Sequence, residues 1–218
     1  GIIIETETAT YDKKENILKA EEGVKITDTK TNNKITSEKV EYDKKNEKIF
    51  VEGNVFIEEK DGVIINTESA SYDNRKQIVK SDTLTKIKDR SGNSMILDMF
   101  SYSIKNQNLR SKGYIEITDN LKNKYFFDDV YIDVKKNRMA GSNLKIKFDK
   151  ETFGNIENDP RLVANSAIIT KNKSYIEKGV FTTCKKREGK CPPWKITSKK
   201  IIHDKEKKII NYEHAKLY

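Results

Sequence analysis

The chain has 218 residues and a mass of 25.2 kDa, enough for one sizeable domain or two small ones and too little for a large multidomain enzyme. Apolar residues make up 35% of it and charged residues another 35%, so we expect a thin core beneath much polar surface. The net charge is +9, but both signs are interspersed along the chain, which disfavours a nucleic-acid-binding groove.

No apolar run approaches the ~18 residues that a membrane-spanning helix needs. The longest runs are three-residue pieces such as 2–4 and 63–65. No signal peptide is predicted either, because the first apolar run is short and charge follows it at once. These features predict a cytoplasmic protein or a mature fragment from which a leader has been trimmed.

A unit of about thirty residues recurs along the chain and begins with a tyrosine-aspartate pair or its equivalent. After each anchor come a polar stretch, an apolar pair and often a glycine. The seven anchors are Tyr11-Asp12, Tyr42-Asp43, Tyr72-Asp73, Tyr102-Ser103, Ile132-Asp133, Ile169-Thr170 and His203-Asp204. The glycine landmarks are Gly23, Gly53, Gly113, Gly141 and Gly179. Seven copies therefore cover nearly the whole chain.

The repeats are predicted to be pairs of β-strands, although helical repeats have similar periods. Apolar residues recur at even spacing, as in Val51, Val55 and Ile57, which is typical of half-buried strands. The 27 isoleucines against eight leucines favour strands as well. Stretches such as Asp-Lys-Lys-Asn after each anchor are typical of tight turns. The sequence therefore predicts an all-β fold.

Units of this kind can stack as a solenoid, a jelly roll or a folded-over sheet. The low apolar content favours a slim lumen between two sheet faces over a broad core. The segments 155–161 and 184–194 interrupt the thirty-residue spacing, and strand patterns resume after each of them. We interpret both as inserted loops and expect a single elongated domain over residues 1–218.

Two segments carry a family resemblance. Residues 39–43, followed by Gly53-Asn54-Val55, resemble the OstA-like (organic solvent tolerance) repeats of bacterial lipopolysaccharide transport. The closing segment, 191–218, resembles the stretch just before the membrane barrel in the outer-membrane LPS-assembly protein family. The resemblance implies a single elongated, folded-over antiparallel sheet, the β-jellyroll or β-taco, built from about seven two-strand repeats.

The resemblance also implies a function, partners and a location. An apolar groove would shelter lipid acyl chains while the saccharide projects into water, with no cofactor and no enzymatic step. The implied partners are lipopolysaccharide, a periplasmic LPS bridge protein paired through the N-terminal strand edge, and, in a full-length protein, the chain's own C-terminal barrel with its plug lipoprotein. The barrel is absent from this chain, and the implied location is the periplasmic side of the outer membrane.

Two alternatives stay open: a freestanding periplasmic bridge protein, and a structural β-repeat module with no lipid cargo. The apolar strand residues allow both a groove and a plain core, and a single such residue is more often core. The candidates for lipid contact are Val51, Val55, Ile57, Ile115, Ile117, Leu144, Ile146, Phe148, Trp194 and Ile196. We expect Tyr11, Tyr42, Tyr72 and Tyr102 to be packing residues of the repeat.

The remaining reactive side chains favour structural roles. His203-Asp204 occupies the anchor slot, and adjacent strand residues point to opposite faces, which suits neither a base nor its orienting carboxylate. Cys184, Cys191, His203 and His214 match no familiar zinc spacing. We predict no catalytic residue and no metal site. Cys184 and Cys191 are a disulfide candidate, although two reduced thiols, or pairing with barrel cysteines, fit as well.

Overall fold

The structure, a computed structural model, describes residues 2–29, 32–60, 62–187, 189–204, 206–207 and 209–218. These residues form seventeen β-strands, and every recorded strand pairing is antiparallel. The only helical element among them is a 3-10 turn at Lys150–Phe153. The predicted all-β, antiparallel fold class is confirmed.

The chain divides into two compact units, Gly1–Gln107 and Asn108–Tyr218. The single domain expected over residues 1–218 stays a prediction. The strands of the first unit are β1 (Ile2–Glu5), β2 (Thr8–Asp12), β3 (Ile17–Asp28), β4 (Lys34–Asp43), β5 (Lys48–Glu58), β6 (Ile64–Asp73), β7 (Ile78–Ser81), β8 (Thr85–Lys88) and β9 (Ser94–Ser103). Strands β3 to β6 form a meander. The short strands β1 and β2 both pair with β3, and β7 and β8 both lie between β6 and β9.

The second unit is also a meander. Its strands are β10 (Asn108–Thr118), β11 (Lys124–Asp133), β12 (Arg138–Lys147), β13 (Arg161–Thr170), β14 (Lys173–Thr182), β15 (Ile196–Asp204), β16 (Ile209–Glu213) and β17 (Lys216–Leu217). Strands β10 to β15 pair in chain order, and β16 and β17 both pair with β15. The long connections of this unit follow β12 and β14.

The seven predicted anchors each end a strand, namely β2, β4, β6, β9, β11, β13 and β15. At Asp43 the carboxylate accepts the backbone N–H of Asn46 at 2.9 Å, and Glu47 then takes a left-handed φ of 54°. An aspartate that bonds the backbone ahead of it is the turn chemistry expected for such a position. Asp12, Asp73, Asp133 and Asp204 accept turn N–H groups in the same way.

Backbone hydrogen bonds join neighbouring turns of the first unit. The N–H of Lys44 donates to the carbonyl of Asn16 at 3.1 Å. The N–H of Asn74 donates to Glu47 at 3.0 Å, and that of Ile104 donates to Gln77 at 2.9 Å. Each turn is therefore tied to the next turn along the chain, as in repeat proteins.

The glycine landmarks differ in their structural role. Gly53 has a φ of 79° at a bulge where the register of β5 shifts between Glu52 and Val55. Gly23 and Gly113 lie at equivalent shifts in β3 and β10. Gly141 and Gly179 lie in β12 and β14, whose registers with both neighbours are unbroken. Bulges therefore accompany three of the five landmarks.

Small buried hydroxyls satisfy backbone carbonyls near the middle of the sheets. Ser37 Oγ donates to the carbonyl of Lys39 at 3.2 Å, and Ser198 Oγ donates to that of Lys200 at 2.7 Å. In β6 to β8, Thr67, Ser81 and Thr85 bond one another at 3.0–3.2 Å. No buried side-chain polar atom in the described ranges lacks a hydrogen-bond partner.

Two local expectations are corrected. Phe148 is expected to continue the alternation of β12, but that strand ends at Lys147 and the N–H of Phe148 donates to Pro160 at 3.0 Å. Arg161, expected in a loop, is the first residue of β13. The insertion therefore runs over 148–160 and contains the 3-10 turn, capped by Asp149, whose side chain accepts the N–H of Glu151.

Candidate functional site

The inner face of the first unit, defined as the face that carries its buried residues, begins with a cross-strand row of isoleucines. Strand register places one member of this isoleucine row on each successive strand, so neighbouring side chains stand opposite one another. The row is Ile4, Ile26, Ile35, Ile57, Ile65, Ile87 and Met95. Ile26 and Ile87 are buried and the others are half-buried. The row is therefore an apolar surface that is only partly covered.

A second row of the same face is fully packed. Ala20, Val40, Val51 and Ala70 are register partners on β3 to β6, and they belong to one buried cluster with Val24, Ile26 and Val55. Small side chains suit a narrow interior because they let facing backbones approach. The cluster also contacts Ile4, Ile35, Ile49 and Ile57. It is the core of the first unit.

A third row lies at the end of this face nearest the turns. It alternates tyrosines with aliphatic residues in the order Tyr11, Leu18, Tyr42, Ile49, Tyr72, Val79 and Tyr102. Tyr42, Tyr72 and Tyr102 are half-buried, whereas Tyr11 is exposed. Burial raises the pKa of Tyr102. Tyr42, Tyr72 and Tyr102 therefore pack within the repeat, whereas the exposed Tyr11 departs from that expectation.

The second unit has a comparable row on its inner face. Its members are Ile117, Tyr125, Ile146, Leu162, Phe181, Ile196 and Leu217. Tyr125 also donates its hydroxyl to Asp119 Oδ2 at 3.0 Å. Burial, with the nearby Asp119 carboxylate, raises the pKa of Tyr125 well above its usual range. We call this set the mixed row.

The ten predicted lipid-contact residues fall into two groups by burial. Val55, Ile115 and Leu144 are at most 1% exposed, and Val51 and Ile146 are 5% exposed, so these five are packed core residues. The half-buried group is Ile57, Ile117, Phe148, Trp194 and Ile196. The structure places Val51, Val55 and Ile57 in the first unit and the other seven in the second. Only the half-buried group offers apolar surface without displacement of core packing.

Aromatic rings gather where the two insertions of the second unit meet. The ring centroid of Phe181 lies 6.2 Å from that of Phe148, 5.6 Å from that of Phe153 and 6.2 Å from that of Trp194. Thr182 Oγ1 donates to the carbonyl of Trp194 at 2.8 Å. Edge-to-face contacts of this kind stabilise packed aromatic groups. The predicted lipid contacts Phe148 and Trp194 are thus brought together around Phe181.

The structure gives His203-Asp204 a turn role. Asp204 accepts the backbone N–H of Lys207 at 3.0 Å and pairs with Lys173 at 3.5 Å. The N–H of Lys207 and the Lys173 ammonium lower the pKa of Asp204. Asp204 therefore does what Asp12 and Asp43 do in their repeats. Within the described ranges no group of three or more His, Cys, Asp or Glu side chains could hold a metal ion.

The two cysteines differ in exposure. Cys184 is buried beside Trp194, with its Sγ 3.8 Å from that residue's carbonyl oxygen, and Cys191 is exposed. Both are free thiols in the structure. The disulfide between them stays a prediction. No helix of the described chain is long and apolar enough to cross a membrane.

Sequence reasoning missed most of the isoleucine row. Of that row it named only Ile57 and omitted Ile26 and Ile87, which occupy the same phase of the repeat as Ile57. It also omitted Ile35 and Ile65, which precede the next anchors by a constant interval. Comparing equivalent positions across repeats, in addition to alternation within a strand, is the signal that would have found them.

Comparisons with known proteins find similarity to proteins of lipopolysaccharide assembly and transport. Residues 28–107 match the family model described as "Lipopolysaccharide-assembly, LptC-related". Among solved structures, LptH, the LptA-homologous periplasmic component of the lipopolysaccharide transport device of Pseudomonas aeruginosa, is similar with 18% identity and a TM-score of 0.44. That match covers 51% of this chain and 82% of LptH. No curated protein matches this chain.

The matched family is one of lipopolysaccharide assembly. Over residues 28–107 the chain matches the LptC-related lipopolysaccharide-assembly family, in agreement with the resemblance of its OstA-like repeats to proteins of lipopolysaccharide transport.

Proposed function

We propose that the chain is the periplasmic OstA-like domain of an outer-membrane LPS-assembly protein. It shields the acyl chains of lipid A against its inner face and passes lipopolysaccharide from a periplasmic bridge protein to an outer-membrane barrel. The isoleucine row carries this proposal, because a continuous, partly exposed apolar row is what a chain-like lipid needs from a binding surface. The match of residues 28–107 to a lipopolysaccharide-assembly family supports the cargo.

The energetics favour a continuous row over a single pocket. Each CH₂ moved from water to an apolar surface gains about 0.8 kcal/mol, so several acyl chains leave a membrane unaided only very slowly. A row that repeats on each strand offers equivalent apolar surface every ~4.8 Å across the sheet. A lipid that moves along such a row exchanges one apolar contact for the next. No step needs full exposure to water.

The N-terminal edge supports hand-over from a second protein. Within the described residues β1 and β2 pair only with β3, so their outer backbone groups are available to another strand. An unpaired edge is a hazard unless it is protected or used, and strand addition is the direct way of using it. We place the bridge protein there. A barrel and its plug lipoprotein would lie at the other end of the pathway, on the periplasmic side of the outer membrane.

The experiment that tests the cargo is photocrosslinking to purified lipopolysaccharide. A photoreactive residue replaces Ile57 in one variant and Phe56 in the other. Phe56 is a matched control, since it is adjacent on β5, half-buried as well, and directed to the opposite face. We expect crosslinks at position 57 and none at position 56.

A second inner position separates the alternatives. Crosslinks at neither Ile57 nor Ile117 would contradict lipid binding and favour a structural β-repeat module. Equal crosslinking at 56 and 57 would show non-specific association with lipid aggregates. A freestanding bridge protein would crosslink lipid at Ile57 in the same way, and it would differ by passing lipid to a separate barrel protein in a reconstituted transfer assay.

A further inference from the structure

The outer face of the second unit, opposite the mixed row, contains a pocket that the proposed lipid function does not use. Its volume is about 480 Å³. Side chains from β10, β11 and β12 line it, and Tyr114, Phe126, Asp128, Lys145 and Lys147 are the ones directed outward. Each of them is next in sequence to a buried residue or to the bulge, which fixes its direction.

An aromatic pair forms one part of the pocket. The rings of Tyr114 and Phe126 have centroids 6.5 Å apart and are tilted by 59°. Tyr114 is 47% exposed although it follows a bulge in the middle of the sheet. Gly113, with a φ of 94°, has no side chain to fill the space beside it. The bulge therefore leaves space beside Gly113, and the ring of Tyr114 borders that space.

Cations form the other part. The Lys147 ammonium lies 5.1 Å from the centroid of the Phe126 ring, and Lys145 is the register partner of Phe126 on β12. Neither lysine makes an ion pair with a described residue. Two ammonium groups thus border an aromatic surface.

The acidic groups nearby are already engaged. Glu116 accepts the Lys124 ammonium at 2.7 Å and the Tyr114 hydroxyl at 2.5 Å. Burial acts to raise the pKa of Glu116, but the bonds from Lys124 and Tyr114, together with the charges of Lys124 and Lys147, outweigh it and lower that pKa. Asp128 accepts the side-chain amide of Asn143 at 2.6 Å. The carboxylates fix Tyr114 and Lys124 and keep spare lone pairs for hydroxyl donors.

We propose that this pocket binds an acidic saccharide, meaning a sugar ring that carries a phosphate or a carboxylate. The apolar C–H face of the ring would pack on Tyr114 and Phe126, and the anionic substituent would contact Lys145 and Lys147. Ring hydroxyls would donate to Asp128. The volume lies within the range of small-molecule sites. The inference does not rest on lipid transport, because the pocket and the mixed row occupy opposite faces of the sheet.

The test is an NMR titration of the complete 218-residue chain with glucose 6-phosphate. Glucose and inorganic phosphate are titrated separately. We expect saturable shift changes centred on Tyr114, Phe126 and Lys147, and affinity for glucose 6-phosphate at least about tenfold above that for either fragment, which corresponds to 1.4 kcal/mol. Equal affinity for inorganic phosphate would show a simple ion contact and overturn the proposal. So would the absence of saturable shifts up to roughly 20 mM sugar phosphate.

Matched variants locate the site. Tyr114→Ser and Lys147→Gln should each weaken binding at least about fivefold, and Lys147→Arg should restore most of the affinity. The control is Tyr175→Ser, which removes another exposed outer-face tyrosine, on β14. Unchanged amide spectra away from the pocket verify folding of each variant. Equal weakening by Tyr175→Ser would place binding elsewhere and contradict the assignment.

Discussion

The side chain and backbone N–H of Asn46 both donate to the carboxylate of Asp43, at 2.6 and 2.9 Å. These bonds, of which the side-chain bond has the larger effect, lower the pKa of Asp43. A carboxyl group whose pKa is lowered by folding stabilises the fold above its unfolded pKa, and that stabilisation disappears as the pH falls through the folded value. The stability contributed by the turn after β4 is therefore lost in acid.

We expect Asp43→Ala to lower the melting temperature near neutral pH by about 2–4 °C. The difference from the unsubstituted chain should shrink to nothing once the pH falls below the lowered pKa of folded Asp43, because Asp43 is then protonated in both the folded and the unfolded state. Lys45→Ala, in the same exposed turn, is the control and should change little. Thermal unfolding measured over the acidic range checks both variants, and an undiminished difference in acid would contradict the role assigned to the carboxylate.

The stability contributed by Tyr125 depends on pH in the opposite direction. Burial and the Asp119 carboxylate raise its pKa, so the neutral phenol is favoured in the folded state. Stability from this group is present below the unfolded pKa of about 10 and is lost as the pH rises toward the folded value. We expect Tyr125→Phe to lose about 1 kcal/mol near neutral pH, because its bond to Asp119 is gone. Between about pH 9 and about pH 11, the free energy of unfolding of this variant should fall by less than that of the unsubstituted chain. Urea denaturation at each pH measures this, and identical alkaline losses would contradict it.

Alanine substitution at two bulge glycines, Gly23 and Gly53, distinguishes the cost of backbone strain from that of a steric clash. Gly23 and Gly53 have φ values of 68° and 79°, so alanine is strained at both, by roughly 1–2 kcal/mol. A Cβ at position 53 would also lie 2.7 Å from Glu38 Cβ, whereas one at position 23 would meet nothing within 4 Å. We expect Gly53→Ala to destabilise the chain more than Gly23→Ala in urea denaturation. Equal losses would mean that Glu38 moves aside freely.

Core and lining residues should respond differently to truncation. Leu144 is fully buried, so Leu144→Ala should lower the free energy of unfolding by about 2–5 kcal/mol. Ile57 is half-buried, and Ile57→Ala should lower it by less, roughly 1 kcal/mol. Lipopolysaccharide capture should show the reverse order at a temperature where both variants are folded. If both properties fell in parallel, the half-buried positions would be plain core.

The cysteines offer a check on the carboxyl-terminal insertion. We propose that Cys184 and Cys191 form a local disulfide when the chain is oxidised, since both lie in the connection between β14 and β15. In the reduced chain, Cys191 should be alkylated much faster than Cys184, because only Cys191 is exposed. Mass spectrometry after oxidation should show the loss of two hydrogen atoms, and Cys191→Ser should abolish that loss. Intermolecular dimers in place of this product would indicate external pairing.

The turns could be predicted from the sequence because their causes are local. Asp43 bonds a backbone group three residues ahead, so a short pattern contains all the relevant chemistry. Strand alternation is local as well, and it correctly assigned Val51 and Ile57 to one face. Family resemblance then followed from the same repeated pattern.

The degree to which each side chain is buried could not be predicted from the sequence, because it depends on residues of distant strands that pack against it. Ile115 and Ile117 are both isoleucines and lie two positions apart on one face of β10, yet Ile115 is fully buried and Ile117 is only half-buried. Serines and threonines such as Ser37 and Thr67 have the polar character of surface residues but satisfy carbonyls inside the sheet. The pocket beside Tyr114 needs three strands in register, and no single segment contains that information.

The bonds between successive turns make the first unit modular. Asn16, Glu47 and Gln77 each accept a backbone N–H from the following turn, at 2.9–3.1 Å. A unit of two strands widens the sheet by roughly 9.6 Å and meets neighbours identical in kind to those it replaces. Whole repeats of this series can therefore be added or removed by duplication or deletion while the turns that remain in the series keep an acceptor. The reach of such a protein can evolve in discrete increments, one repeat at a time.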